Sequence, residues 1–204
     1  MYSSLPKIFV YILIFFSFLL NFNAHSASQK ILYSRKSIFN YFSGIISSNN
    51  NNNKLALKYF NKLNHLKDNH DQFNRELIFT LVQTQKIHEL FSYLKKLKKK
   101  NLNFFDANLL LGISYFLERK YIKSAGYFNS IVKTSKFSNF EQLIAQSLLS
   151  YIRVFENRSH DYETELNIIS KNYKNFALIN NAFISCYLDN KNVDENFLKI
   201  INPD

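Results

Sequence analysis

Glycine, proline, cysteine and tryptophan are scarce: the 204 residues hold three, two, one and none of them. So little glycine and proline argues against a turn-rich all-β fold and for helices joined by brief polar loops. The one cysteine, Cys186, has no partner for an internal disulfide, and its helical setting suggests a small buried residue. No two glycines lie close enough for a phosphate-cradling loop, and the hydrolase nucleophile-elbow pattern is missing too. The five histidines, His25, His65, His70, His88 and His160, match no zinc spacing. His65 and His70 flank a loop with Asp68 and Asp71, which reads better as a solvated loop than as a metal site. Glu163 and Glu165 fall on different helical faces, so they do not make the paired carboxylates of acid–base chemistry. No catalytic set, cofactor site or metal site is expected, and the chain is read as a non-enzyme.

Apolar residues make up 47% of the chain and aromatics 17%, which excludes a disordered polymer. The length suits one domain with a sizeable core. A formal net charge of +11 invites a nucleic-acid or anionic-membrane reading. A chain crowded with Asn, Lys, Ile, Phe and Tyr also fits the codon bias of an AT-rich genome, so the charge alone decides nothing.

Residues 1–26 read as a leader outside the fold. Lys7 is followed by an apolar run from Ile8 to Leu20 and then by small residues, the layout of a secretory signal peptide. Ala24 and Ser26 at the two small-residue positions place cleavage before Ala27. The run is shorter than the roughly 20 residues a spanning helix prefers, but an uncleaved N-terminal anchor stays open as the second reading. No cysteine follows it, which excludes lipid attachment of the bacterial lipoprotein type.

From residue 27 to 204 the chain reads as helix after helix. Apolar residues recur at helical spacing in Gln29–Ser48, Lys54–Leu66, Gln72–Val82, Ile87–Leu97, Leu109–Val132, Phe140–Phe155, Tyr162–Tyr173, Ala177–Leu188 and Glu195–Ile201. The first of these carries Ile38, Phe39, Phe42, Ile45 and Ile46, and the polar tract Ser47–Asn53 ends it with a flexible turn. Leu109–Val132 breaks at Glu118–Lys120 into two helices, a hairpin that needs neighbours to bury its faces.

The pattern repeats. Gly44, Ile78 and Gly112 are evenly spaced along the chain. The same interval separates Ala56, Leu90 and Ser124, then Phe60, Leu94 and Phe128, then Leu63, Leu97 and Ile131. Small residues belong where two helices cross closely. Ile78 and Leu90 take those places in the middle unit, whose crossing should be wider. This register resembles the tetratricopeptide repeat, whose period is about 34 residues. Gly44, Ala56 and Phe60 carry the resemblance in the first unit, and Leu111, Gly112, Tyr115, Tyr121, Ser124 and Phe128 carry it in the third. The resemblance implies an all-α, right-handed α-solenoid of antiparallel helix pairs, with about three clear repeats over residues 37–134. One or two irregular or capping repeats are expected over 135–204, where the exact register is lost. The leader followed by Phe39-x-x-x-x-Gly44 resembles the repeat proteins that alphaproteobacteria export, and the ending at Ile201–Asp204 suggests a shortened relative.

By the same resemblance, a partner would lie in the concave groove lined by first helices. The matching positions are Tyr41, Ile45, Gln72, Arg75, Phe79, Asp106, Leu109, Ile113 and Phe116. Several of these apolar residues have the alternative task of contacting the next unit. The run Lys95, Lys96, Lys98, Lys99 and Lys100 is either a patch for an acidic partner or anionic lipid, or a set of cations at a helix C-terminus, each worth about 0.3–1 kcal/mol there. Asn157–Ser159 matches the glycosylation triplet, common by chance in an Asn-rich chain. The expectation is an exported, periplasmic scaffold that binds a protein or peptide in cell-envelope assembly or maintenance, with no cofactor and no nucleic acid. The alternative is an adaptor held at the inner membrane by an uncleaved leader and the lysine patch.

Overall fold

Apolar residues spaced for helices, with short polar joints between them, give a chain of helical hairpins. The computed structural model describes residues 33–157 and 162–201, and residues from Arg35 onward form one compact unit. The leader and its cleavage point, the glycosylation triplet beyond Asn157, and Asn202–Asp204 lie outside the described residues. Among the described residues there are ten α-helices, two short 3-10 segments and no strand. They are α1 Arg35–Asn49, α2 Asn53–Phe60, α3 Asp71–Gln83, α4 Ile87–Lys96 and α5 Phe105–Leu117. There follow α6 Tyr121–Val132, α7 Asn139–Asn157, α8 Tyr162–Ser170, α9 Lys174–Tyr187 and α10 Val193–Ile201. Each helix packs on the next, and α1–α3, α5–α7 and α7–α9 also touch, so hairpins stack on hairpins.

The repeat marks turn out to be packing partners. An added Cβ on Gly44 would lie 2.8 Å from Cδ1 of Phe60, and one on Gly112 would lie 2.8 Å from Cδ1 of Phe128. Each glycine on a first helix is thus a seat for a phenylalanine ring on the second. The close approach also lets Ser124 Oγ donate to the Gly112 carbonyl at 2.7 Å. The middle pair holds the larger Ile78 and the smaller Leu94 at the equivalent positions, both buried. Its helices lie less closely together than those of the flanking pairs.

Two further periodic features emerge. The turns inside the first three hairpins place Asn51, Gln85 and Arg119 at φ of 58°, 58° and 57°, at the same interval as the packing marks. In each, the next amide bonds back to the helix end, as Lys120 N does to Tyr115 O at 2.9 Å and Lys86 N to Leu81 O at 2.9 Å. This is the Schellman ending, in which the left-handed residue turns the chain out of the helix. Asp189 makes the same turn between α9 and α10, just beyond the place that two further periods from Arg119 would give. One period beyond Arg119 the chain is inside α7, whose 19 residues run straight through that place, so the even spacing of turns stops there. Asparagines 40, 74 and 108 are also periodic and buried. Asn74 Nδ2 donates to Lys67 O at 2.9 Å and Asn108 Nδ2 to Leu102 O at 2.7 Å, tying each first helix to the loop before it.

Three expectations need correction. The second helix does not run to Leu66: α2 stops at Phe60 and a 3-10 stretch follows, because Leu63 has non-helical φ −115° and ψ 21°. Cys186 is exposed, since α9 buries Ala177, Asn180, Ala182, Ile184 and Ser185 and turns position 186 away. On α1 most of the apolar stripe faces outward: Ser37, Asn40, Gly44, Ser47 and Ser48 are buried, while Ile38, Phe39, Phe42 and Ile46 are exposed.

Candidate functional site

The nine groove positions have mixed employment. Tyr41 and Ile45 are half-buried, with the Tyr41 ring 5.6 Å from Phe42 and 5.1 Å from His70. Gln72 is exposed and donates to Glu76 at 2.8 Å, and the Arg75 guanidinium sits 4.3 Å over the Phe104 ring. Phe79 and Asp106 are exposed. Leu109, Ile113 and Phe116 pack against the cluster of Phe128, Ile131, Phe137, Leu149 and Ile152. The Phe116 ring lies 5.2 Å from Phe155 of α7. These three serve the junction between hairpins, the alternative task open to them in the sequence.

A cleft of about 1000 Å³ opens elsewhere, between the chain from Leu97 to Asn108 and the outer face of α6. Lys123, Gly126, Tyr127 and Ser130 line it from α6, at the spacing of one helical face. The opposite wall exists because the chain between α4 and α5 does not close onto α6. Asn101 Nδ2 donates to Lys67 O at 2.8 Å, and the extended Phe104 (φ −146°, ψ 159°) leads into α5. Lys136 Nζ donates to Asn103 O at 2.5 Å and ties that wall to the loop after α6.

The rim is aromatic and cationic. Tyr115 and Tyr127 stack with centroids 5.6 Å apart and planes 10° from parallel. Lys95 and Lys123 lie 5.3 Å and 5.7 Å from the Tyr115 centroid, within cation–π range. Glu118 pairs with Lys95 and takes a 2.7 Å bond from Lys120. Hydrogen bonds from Lys120 and Lys95 hold its carboxyl down at about 2. Lys123 has no carboxylate in ion-pair reach among the described residues. The Tyr127 hydroxyl is pushed up by burial and then by the neighbouring Tyr115, so it stays protonated and able to donate. Of the lysine run, Lys95 is spent on Glu118 and Lys98 faces Asp68 at 3.5 Å, which leaves that patch partly neutralised.

Gly126 stands apart from the other two glycines. Nothing lies within 4 Å of the Cβ it lacks, so no internal packing requires it. A glycine inside a helix is less stable than alanine by about 1 kcal/mol. Its place in the cleft floor leaves room for a bound chain to approach the helix backbone. Nothing in the repeat register marks Lys123, Gly126 or Tyr127. The recurrence of 123, 126, 127 and 130 on one face was the available signal.

The arrangement offers cations, flat aromatic faces and amide groups, which is the equipment of binding. Of the loop histidines, His70 Nδ1 accepts from Phe73 N at 3.0 Å as the cap of α3, and His65 Nε2 meets Ser37 Oγ at 3.3 Å. No group of three or more metal-ligating side chains occurs among the described residues. A scan against models of known protein families and searches of curated proteins and of solved structures found no match.

Proposed function

We propose that this chain is a non-enzymatic scaffold of tetratricopeptide-like hairpins wound as a right-handed solenoid, and that it holds a protein or peptide partner. The cleft beside α6 carries the reading: it is open, rimmed by Lys123 and the Tyr115–Tyr127 stack, and floored by a glycine that packing does not need. Its chemistry suits an extended acidic segment, with carboxylates at the lysines and an apolar or aromatic side chain on the tyrosines. The signal-like leader supports export, and cell-envelope assembly or maintenance is the setting in which such a scaffold works. The even spacing of the hairpin marks and the partnered pairs Gly44–Phe60 and Gly112–Phe128 support the family likeness.

The test is pulldown from envelope extract with the full chain, comparing Lys123→Glu and Gly126→Gln with Arg75→Glu and Phe79→Ala. Lys123→Glu reverses the rim charge and Gly126→Gln fills the floor without touching the core. Recovery of a specific partner should fall by about tenfold, the loss expected of one interfacial contact worth about 1–2 kcal/mol. Partner recovery unchanged in the first two variants and lost in the second two would move the site to the first-helix groove. Recovery unchanged in all four would defeat the scaffold reading.

A further inference from the structure

The geometry points to α1 and α2 as a surface that lies on an anionic lipid bilayer, separate from the cleft. Three observations carry it. The first is the inversion of α1. Its inward face consists of serines, Asn40 and Gly44, whereas Ile38, Phe39, Phe42 and Ile46 look outward, each 45–63% exposed. A surface helix ordinarily does the opposite. These side chains leave roughly 400 Å² of apolar surface open, in the range of the largest patch on an ordinary monomer, which is often a functional one.

The second observation is charge. No aspartate or glutamate occurs in the chain before Asp68, so the first hairpin is purely basic. It carries Arg35, Lys36, Lys54, Lys58, Lys62 and Lys67. None of them has an ion-pair partner among the described residues. The acids that pair with lysines elsewhere among the described residues, Asp68, Glu89, Glu118 and Glu195, all come later in the chain. In the later run, by contrast, Lys95 and Lys98 both have acid partners.

Continuity is the third. Phe39 meets Tyr59 edge-to-face at 6.1 Å, and Lys62 Nζ lies 5.3 Å from the Tyr59 centroid. The apolar stripe of α1 thus continues through Tyr59 of α2 to Lys62 in the 3-10 stretch that follows it. An amphipathic surface with aromatics in the middle and unpaired lysines at the side is what the headgroup boundary of an acidic bilayer accommodates. Single-stranded nucleic acid also favours lysines beside aromatics, but the aliphatic Ile38 and Ile46 offer bases and phosphates nothing.

The test places a fluorophore where only this contact can move it, since the apolar run before residue 21 could hold the full chain on vesicles by itself. In a Cys186→Ser background, Phe42→Cys carries an environment-sensitive nitrobenzoxadiazole label, and Ile122→Cys, on exposed α6, carries the control. Vesicles containing roughly one third phosphatidylglycerol in phosphatidylcholine are the probe. The label at 42 should shift to the blue and be quenched by brominated lipid, while the label at 122 should not respond. Each lysine at an acidic surface multiplies partition by about fivefold, so loss of three should weaken the response about a hundredfold, and the reversed charges of Lys54→Glu/Lys58→Glu/Lys62→Glu by at least that much. If circular dichroism shows that this variant has lost helix, Lys54→Gln/Lys58→Gln/Lys62→Gln replaces it. Vesicles that pellet with the protein while the label at 42 stays unchanged would overturn the inference, as would equal shifts at 42 and 122. So would a shift produced by an oligonucleotide instead of vesicles, or one that rises with protein concentration alone.

Discussion

Gly112→Ala and Gly126→Ala are the same chemical change on two adjacent helices, and the structure gives them opposite signs. Both gain helix propensity of about 1 kcal/mol, because alanine replaces the residue with most backbone freedom to lose. At 126 that gain is all there is, since the new methyl meets nothing within 4 Å. At 112 the methyl would sit 2.6 Å from Cζ and 2.8 Å from Cδ1 of Phe128. That ring is 1% exposed and packed among Ile131, Leu149 and Ile152, so it has no empty space to retreat into. Overpacking of this kind costs about 1–3 kcal/mol. The propensity gain cancels between the two variants, and their difference isolates the clash at about 1–3 kcal/mol. For a chain of this size each kcal/mol moves the thermal midpoint by about 2–4 °C. Gly126→Ala should therefore melt a few degrees above the parent, and Gly112→Ala several degrees below Gly126→Ala, followed by circular dichroism at the helix band. The double variant Gly112→Ala/Phe128→Leu should cost less than the sum of its parts, the arrangement that the middle pair already uses with Ile78 and Leu94. Equal midpoints for the two single variants would refute the idea that the ring is seated on the glycine.

Gln85 and Arg119 hold φ of 58° and 57° without being glycine. Gly at either position should raise stability by about 0.5–1 kcal/mol, since left-handed backbone is unfavourable for a side chain by about 1–2 kcal/mol and glycine entropy takes part of that back. Asn51→Gly should gain less because asparagine tolerates the conformation, and urea midpoints ordered otherwise would count against strained turns. Glu118 supplies a pH dependence. Its folded carboxyl lies near 2, below its ordinary value of 4.5. Its contribution is therefore complete above 4.5 and is lost as pH falls toward 2. The midpoint gap between the parent and Glu118→Gln should shrink across that window and with added salt, because the pair is solvent-exposed. A gap that stays constant down to pH near 2 would show that the lysine bonds leave the carboxyl unshifted.

Spacing revealed the hairpins because burial acts on every residue of a helix and leaves a helical period in the apolar pattern. It also revealed Gly44, Gly112, Phe60 and Phe128, since a size constraint repeated in three dimensions must repeat in the chain. The breaks at Ser47–Asn53 and Glu118–Lys120 were legible, but the left-handed residue within each went unseen for a physical reason. Turn reading relies on glycine, and Gln85 and Arg119 fill positions that only backbone geometry identifies. The cleft was invisible because it is made by what the 97–108 chain fails to cover, and no residue type encodes an absence of packing. The case of α1 goes further. A helical period says that one face differs from the other and leaves open which face is inside. The apolar stripe Ile38, Phe39, Phe42 and Ile46 has that period whether it faces core or solvent. Its sense is fixed by the opposite face, where Gly44 must sit inward to seat Phe60. Once that contact is formed, α1 can only bury serine and asparagine and must turn its phenylalanines outward. An apolar face that is imposed by packing on the other side, in a hairpin whose basic residues have no acid partner among the described residues, is the combination that the proposed acidic bilayer would satisfy on both counts, and the label at position 42 tests it.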